Sequence, residues 1–258
     1  MKVIKMVKGL ALILGLAITG WAIAQQNPQG TQQPKQQTQQ TQQSQQPTNP
    51  GPHPVRLTKE MAQQVSDPEA KKILEKTSKK FSKLKSFQVK FRLKLDMPET
   101  DDDEIKEGTL YVNGEKYRLD FGDQLVVSDG KTVWTYIKET NEVQITEEDP
   151  ENQMFQPRDL FSDFGDEYIY TLLGTKKLKD YTTYVIDLTP IDKNKSFFKI
   201  RLYIDTKTYE IRRAIVFEKS GIRYALDIIS FIPNAPIPNV LFTFDTTAYP
   251  GIQVTDLR

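Results

Sequence analysis

The amino-acid sequence predicts a mostly β protein with a few helices: one large curled antiparallel sheet that forms an unclosed β-barrel, or half-barrel, covered by an α-helical lid. Three observations lead to this fold class. Apolar and polar residues alternate in about a dozen short segments, and residues that favour turns separate these segments. Two further segments have helical spacing instead, so a helix can cover the concave side of the sheet.

Residues 1–24 have the pattern of a cleavable secretory signal peptide. Three lysines come first, an apolar run occupies residues 9–18, and Ala22-Ile23-Ala24 supplies the small residues that a signal peptidase needs. The apolar run is shorter than the roughly 20 residues required to cross a bilayer, and no later run is long enough. We therefore expect the mature protein to be secreted.

Charge and cysteine content exclude several classes of protein. The chain contains no cysteine, which excludes a lipid-anchored lipoprotein of the bacterial type, a disulfide scaffold and a thiol enzyme. Removal of the three lysines of the signal peptide changes the formal charge from +1 to −2. Because both signs are scattered along the chain, neither nucleic-acid binding nor a polybasic membrane patch is indicated.

Residues 25–57 consist mainly of Gln, Thr and Pro and predict a disordered linker that precedes the folded domain of residues 58–258. The linker is either a spacer that gives reach or a low-complexity tail without a role. His53, the single histidine, lies in this segment between two prolines. We expect no metal or general-base role for it.

The folded domain should begin with a helix over residues 68–84. Asp67 is a suitable N-cap and Pro68 fits the first helical position. Its apolar face is predicted at Ala70, Ile73, Leu74, Thr77, Phe81 and Leu84. After this helix the period changes from 3.6 to 2, because apolar residues alternate with polar ones from Phe87 to Leu95.

The same alternation predicts a series of antiparallel strands joined by the turns NGEK, SDGK and KETN. The further strands are predicted at residues 108–113, 116–121, 125–128, 132–137, 142–146, 168–173, 181–188, 197–204, 211–217, 223–231 and 241–244. Between two of these strands, residues 158–164 predict a short apolar helix that would serve as the lid.

A cavity between the sheet and its lid would be lined by the inward residues of the strands. The predicted ligand-binding residues of the cavity and lid are Phe81, Phe87, Phe91, Tyr117, Leu119, Phe121, Trp134, Tyr136, Leu160, Phe161 and Phe164. The alternative is that these side chains simply fill a dry core, which is what aromatic residues at regular spacing usually do.

No catalytic constellation is evident. Nucleophilic triads lack a positioned base, and phosphate-binding glycine loops are absent. The acidic run Asp101 to Glu104 lacks the glycine and glutamate of a calcium loop and predicts a solvated hairpin tip. Paired carboxylates of a glycosidase stay open as an alternative, since no pair is distinguished by its setting. We expect no enzyme, no metal and no cofactor.

Several motifs, in this order, resemble the periplasmic outer-membrane lipoprotein carrier family LolA. They are LKSFQVKF, EGTLYV, VVSDGKTVWTY, PRDLF and the final LFTFDTTAYPGIQVTDLR, and the resemblance covers residues 68–258. The stretch KYRLDFGDQLVVSDGKTVWTYIKETNEVQI resembles the Bacteroidetes-like branch of that family.

The resemblance implies a half-barrel carrier of the periplasm. Its cargo would be acylated lipoproteins, its partners an inner-membrane lipoprotein-releasing ABC transporter and an outer-membrane receptor, and its state a monomer that binds no nucleic acid. Two alternatives share the fold: a lipid-binding sensor that regulates an envelope-stress sigma factor, and a general lipid-binding protein.

The sequence departs from the family at the residue that fastens the lid. Enterobacterial carriers have an arginine there, within a Lys-Arg-Pro strand end, whereas this chain reads YVNGEKYRLDF. Arg118 is nearby but has outward parity, so the role is not transferred to it. We hypothesise that Leu160, Phe161 and Phe164 hold the lid closed by packing on the sheet.

This hypothesis predicts that Phe161→Asp weakens lipid binding, because a carboxylate at that position opposes apolar packing. Cargo uptake by the purified protein is the measurement. Unchanged lipid binding and uptake would show that the lid assignment is wrong.

Overall fold

Two helices and a single sheet account for most of the part of the chain that the structure describes. This computed structural model describes residues 58–97, 103–148 and 167–258. The predicted signal peptide, the linker with His53 and the lid helix with Leu160, Phe161 and Phe164 lie outside these ranges.

The two helices precede the sheet. Helix α1 (Lys59–Val65), which the sequence did not predict, begins at Thr58, whose hydroxyl accepts a hydrogen bond from the Met61 amide. Helix α2 (Pro68–Phe81) begins at Asp67, whose carboxylate accepts hydrogen bonds from the amides of Glu69 and Ala70 and confirms the predicted N-cap. The helix ends three residues before the predicted Leu84, although Leu84 is still buried.

Twelve strands form one sheet within the described residues. They are β1 (Ser86–Asp96), β2 (Glu104–Asn113), β3 (Lys116–Phe121), β4 (Gln124–Ser128), β5 (Thr132–Ile137), β6 (Glu142–Glu147), β7 (Tyr168–Leu178), β8 (Tyr181–Pro190), β9 (Phe197–Asp205), β10 (Ile211–Glu218), β11 (Arg223–Pro233) and β12 (Gln253–Asp256).

The strand order is β12-β6-β5-β4-β3-β2-β1-β11-β10-β9-β8-β7. Consecutive strands pair as hairpins from β1 to β6 and from β7 to β11, and β1 joins these two halves by pairing with both β2 and β11. All pairs are antiparallel except β12 with β6, which is parallel. Strands β12 and β7 are the two edges, so the sheet is not closed and the predicted half-barrel fold class is confirmed.

The predicted strand at residues 241–244 is wrong. Asn239–Phe242 forms a 3₁₀ turn, a second turn follows at Thr246–Ala248, and the last strand is β12 at Gln253–Asp256. Pro236 and Pro238 precede the first turn and remove backbone donors that a sheet strand needs. The alternating pattern of Leu241 to Phe244 therefore does not mark a strand. It arises because Phe242 of the 3₁₀ turn is fully buried.

Helix α2 lies on the concave side of the sheet. Its buried residues include Ile73, Leu74 and Phe81, which belong to one core with the inward side chains of β1–β3 and β7–β11. The ring of Phe81 meets that of Phe231 edge to face at 5.2 Å between centroids. Burial of this helix face, as predicted from its periodicity, holds the sheet and helix together.

The junction of α1 and α2 covers the edge of β7. The Asp67 amide donates to the Tyr170 carbonyl at 2.9 Å, and the Tyr170 amide donates to the Ser66 hydroxyl oxygen at 3.2 Å. These two bonds satisfy backbone groups that would otherwise be free at an edge strand.

Gly108 on β2 has inward parity, between Phe91 of β1 and Phe121 of β3. A Cβ atom there would lie 2.6 Å from Phe91 Cζ and 2.9 Å from the Asp120 carbonyl oxygen. The backbone of β3 cannot move aside as a flexible side chain would, so only glycine fits between the two rings.

We expect Gly108→Ala to lower the free energy of unfolding by about 1–3 kcal/mol through overpacking. Urea unfolding measures the loss. Thr109→Ala, at the adjacent outward position, is the control and should have a smaller effect. An unchanged midpoint for Gly108→Ala would contradict the inward packing of the two rings.

Candidate ligand-binding interior

The concave face of the sheet is apolar over most of its width. Register places Leu119 of β3 opposite Leu110 of β2, and Phe91 of β1 opposite Ile228 of β11. Of the predicted cavity residues, Phe81, Phe87, Phe91, Tyr117, Leu119 and Phe121 all belong to this one buried core. Their inward placement follows the period-2 alternation on which the prediction depended.

Two aromatic groups line this interior. Phe91 and Phe121 stack with centroids 5.6 Å apart across Gly108. Phe87 and Phe81 both contact Phe231 of β11, at 5.9 Å and 5.2 Å. Aromatic rings supply large apolar area at little entropic cost, so an interior built from them is stiff and apolar.

A polar cluster lies at one end of this face. The Ser128 hydroxyl donates to Glu148 Oε1 at 2.8 Å, and the Tyr117 hydroxyl bonds to the same carboxylate. Burial, together with the Glu148 charge, raises the pKa of Tyr117 well above its usual range. Tyr117 therefore stays protonated and donates its hydrogen bond to Glu148.

The apolar face of the sheet changes sides at β4, where every residue is buried. Val126 packs in the concave core with Leu119, whereas Leu125 and Val127 pack in a second cluster on the convex face. Beyond β4 the convex face is the apolar one, and Val143 and Ile145 of β6 extend this second cluster.

The inward placement predicted for Trp134 and Tyr136 is wrong. Tyr136 opposes Leu125 and Trp134 opposes Val127, so both project from the convex face. Strand β5 reads TVWTYI, which has large residues at both parities, and the sequence alone could not decide between them. Val133 packs against the concave core instead.

The segment between β11 and β12 covers Trp134 and Tyr136. Tyr136 packs against Tyr249 at 4.6 Å and Phe244 at 5.5 Å between centroids, and Ile252 joins the same cluster. The Tyr136 hydroxyl lies 3.1 Å from Asn141 Oδ1, and Asn141 Nδ2 donates to the Pro250 carbonyl. We call Trp134, Tyr136, Phe244 and Tyr249 the convex aromatic cluster.

Arg118 has the outward parity that the sequence predicted. Its guanidinium lies 3.5 Å from the Leu241 carbonyl oxygen, on the convex side near the 3₁₀ turn. Arg118 therefore bonds to the chain segment that follows β11, away from the concave interior.

The acidic run predicted as a hairpin tip is described only in part. Asp103 pairs with Lys94 at 2.6 Å and Glu104 with Lys106 at 2.8 Å, and all four side chains are partly or fully exposed to solvent. Over residues 58–97, 103–148 and 167–258, no group of three acidic, histidine or cysteine side chains could hold a metal ion. No helix in the same ranges is long and apolar enough to span a membrane.

The fold and this interior together define an open β half-barrel with a helix on its apolar concave face. A family model described only as an uncharacterized protein matches residues 122–225, less than half of the chain. No curated protein matches the sequence.

Three solved structures show a similar arrangement. A conserved protein from Thermus thermophilus is 16% identical with a TM-score of 0.49, over 73% of this chain and 99% of its own. A LolA superfamily protein from Nitrosomonas europaea is 18% identical with a TM-score of 0.38, over 68% and 98%. A chain of the Pseudomonas aeruginosa MucA/MucB complex is 16% identical with a TM-score of 0.39, over 69% and 62%. Identities and TM-scores this low indicate no function, so the function follows from the residues of the interior.

Sequence reasoning missed the polar members of the concave face. Gln124 and Ser128 lie at the same parity as Val126, and Thr135 follows on β5. The pattern of β4 is weak, because the apolar Val126 lies between Gln124 and Ser128 on the same face. Thr135 was missed because the large side chains of Trp134 and Tyr136 suggested the opposite face of β5 as the inward one.

We expect Tyr136→Ala to loosen the segment at residues 239–252 and to lower the free energy of unfolding by about 3 kcal/mol, because it removes the centre of the convex aromatic cluster. Hydrogen exchange of that segment is the measurement. Tyr136→Phe, which removes only the hydroxyl, should cost about 1 kcal/mol. Loss of ligand binding with the segment still protected would contradict the convex placement.

Proposed function

We propose that this protein is a periplasmic carrier that binds the acyl chains of lipoproteins in its half-barrel and carries them from the inner to the outer membrane. The observation that supports this proposal is the apolar concave face of β1–β3 and β7–β11, whose aromatic residues share one core with helix α2. A resident catalytic group is not required for this role.

Acyl chains need such a host because exposure to water costs about 0.8 kcal/mol per CH₂ group. Several long chains therefore cannot cross an aqueous compartment without cover. Apolar contacts are non-directional, so chains held by Phe91, Leu119 and Phe121 can be exchanged for equivalent contacts in the next host. Binding and release then need no chemical step on this protein.

The test is a release assay with inner-membrane spheroplasts from the source bacterium. Purified protein lacking the predicted signal peptide is added, and newly made lipoproteins are followed into the soluble fraction. We expect a soluble one-to-one complex. Absence of release, with lipid found in the protein by native mass spectrometry, would overturn the carrier and favour a lipid-binding sensor or general lipid binder.

A matched pair of variants locates the site. Phe121→Leu alters the concave face, whereas Phe217→Leu alters a half-buried ring beside Lys199 on the convex face. We expect Phe121→Leu to weaken binding of the lipoprotein about fivefold, from a packing loss of about 1 kcal/mol, and Phe217→Leu to leave binding unchanged. Equal effects of the two variants would argue against binding on the concave face.

A further inference from the structure

The concave face changes character from β4 onward. Register with β3 places Gln124 and Ser128 on the same face as Phe121 and Tyr117. The polar residues at inward positions of β4, β5 and β6 are Gln124, Ser128, Thr135, Glu142, Gln144 and Thr146. We call these six residues the polar wall, and it continues directly from the apolar face of β1–β3.

Gln124 holds an unused hydrogen-bond acceptor within this wall. The residue is 7% exposed, and its Oε1 atom is buried without a hydrogen-bond partner among the described residues. An unsatisfied buried amide oxygen destabilises a folded protein, so its presence needs a reason. A bound ligand that donates an N–H or O–H group would satisfy it.

A second acceptor, the Glu148 carboxylate, lies near the other end of the same strand. Ser128 lies four residues from Gln124, about 13 Å along an extended strand. The Glu148 carboxylate accepts from Ser128 at 2.8 Å and faces the same side. This separation matches a short stretch of polar chain rather than a single functional group.

The charge of the wall is negative or neutral. The inward positions of β4–β6 carry no lysine or arginine, while Glu142 and Glu148 supply carboxylates. Glu142 accepts from the Thr255 hydroxyl at 3.3 Å. Carboxylates repel a phosphate group and attract N–H and O–H donors, so the wall disfavours an anionic phospholipid head.

We propose that the polar wall binds the hydrogen-bond-donating head of an acylated peptide, with Gln124 Oε1 accepting from an amide N–H next to the acyl chains. The inference rests on the proposed function, because it assigns the head of a ligand whose chains occupy the apolar face. It makes the interior selective for amide-bearing lipids over phosphate-bearing lipids with the same chains.

The test compares two probes with identical palmitoyl chains: an uncharged N-acetyl-dipalmitoyl-S-glyceryl-cysteinyl-serine amide, and dipalmitoyl phosphatidylglycerol. Each displaces a fluorescent fatty acid from the purified protein without its signal peptide. We expect the lipopeptide to compete at least tenfold better. Gln124→Leu should reduce this preference about fivefold to tenfold, the effect of one hydrogen bond, while the melting temperature rises because an unsatisfied acceptor is gone.

Gln88→Leu is the matched control, since Gln88 lies at an outward position of β1. It should leave the preference unchanged. Thr135→Val repeats the test in case Gln124→Leu does not fold. Equal competition by both probes in the wild type, or a preference that survives both wall variants, overturns the inference and leaves lipid binding intact. A melting temperature lowered by Gln124→Leu overturns it too, because Gln124 then serves the fold. Competition by neither probe refutes the proposed function itself.

Discussion

The pairing of β1 with β11 is the interaction on which the rest of the structure depends. It runs from Phe87 to Asp96 and joins hairpins that lie far apart along the chain. Loop-closure entropy opposes such a pairing, so it forms only because the inward residues of both strands are buried together. Without it the chain would have two smaller sheets, each with an uncovered apolar face and no shared interior beneath helix α2.

Local patterns predicted most of the fold. The Asp67 cap, the face of α2 and the bounds of β3 and β5 follow from short-range signals that the tertiary structure leaves unchanged. Helix α1 escaped prediction because KEMAQQV is short and mostly polar, and its place depends on contacts of the Ser66–Asp67 junction with β7. Sequence periodicity indicates only local geometry, so it cannot predict a helix whose position depends on contacts with residues that are distant along the chain.

The inward face of a strand was predicted correctly only where one of its faces was clearly apolar. Strands β1 and β3 met that condition, and their aromatic residues do face the concave core. Strand β5 did not, because the face on which Trp134 and Tyr136 lie is decided by residues more than 100 positions later that cover it. The change of the apolar side from concave to convex at β4 therefore depends on contacts across the whole sheet and not on the sequence of one strand. It allows one sheet to hold two separate cores and leaves its concave side polar at one end.

The bonds between the Ser66–Asp67 junction and Tyr170 have a mechanical consequence. Helix α2 covers the interior, and the residues just before it cap the outer edge of β7. A displacement of both helices large enough to widen the interior would uncover that edge at the same time. Admission of a bulky ligand by this route would thus expose backbone groups able to recruit a foreign strand. Pairing of β7 with a strand of another molecule is therefore prevented as long as both helices stay packed on the sheet.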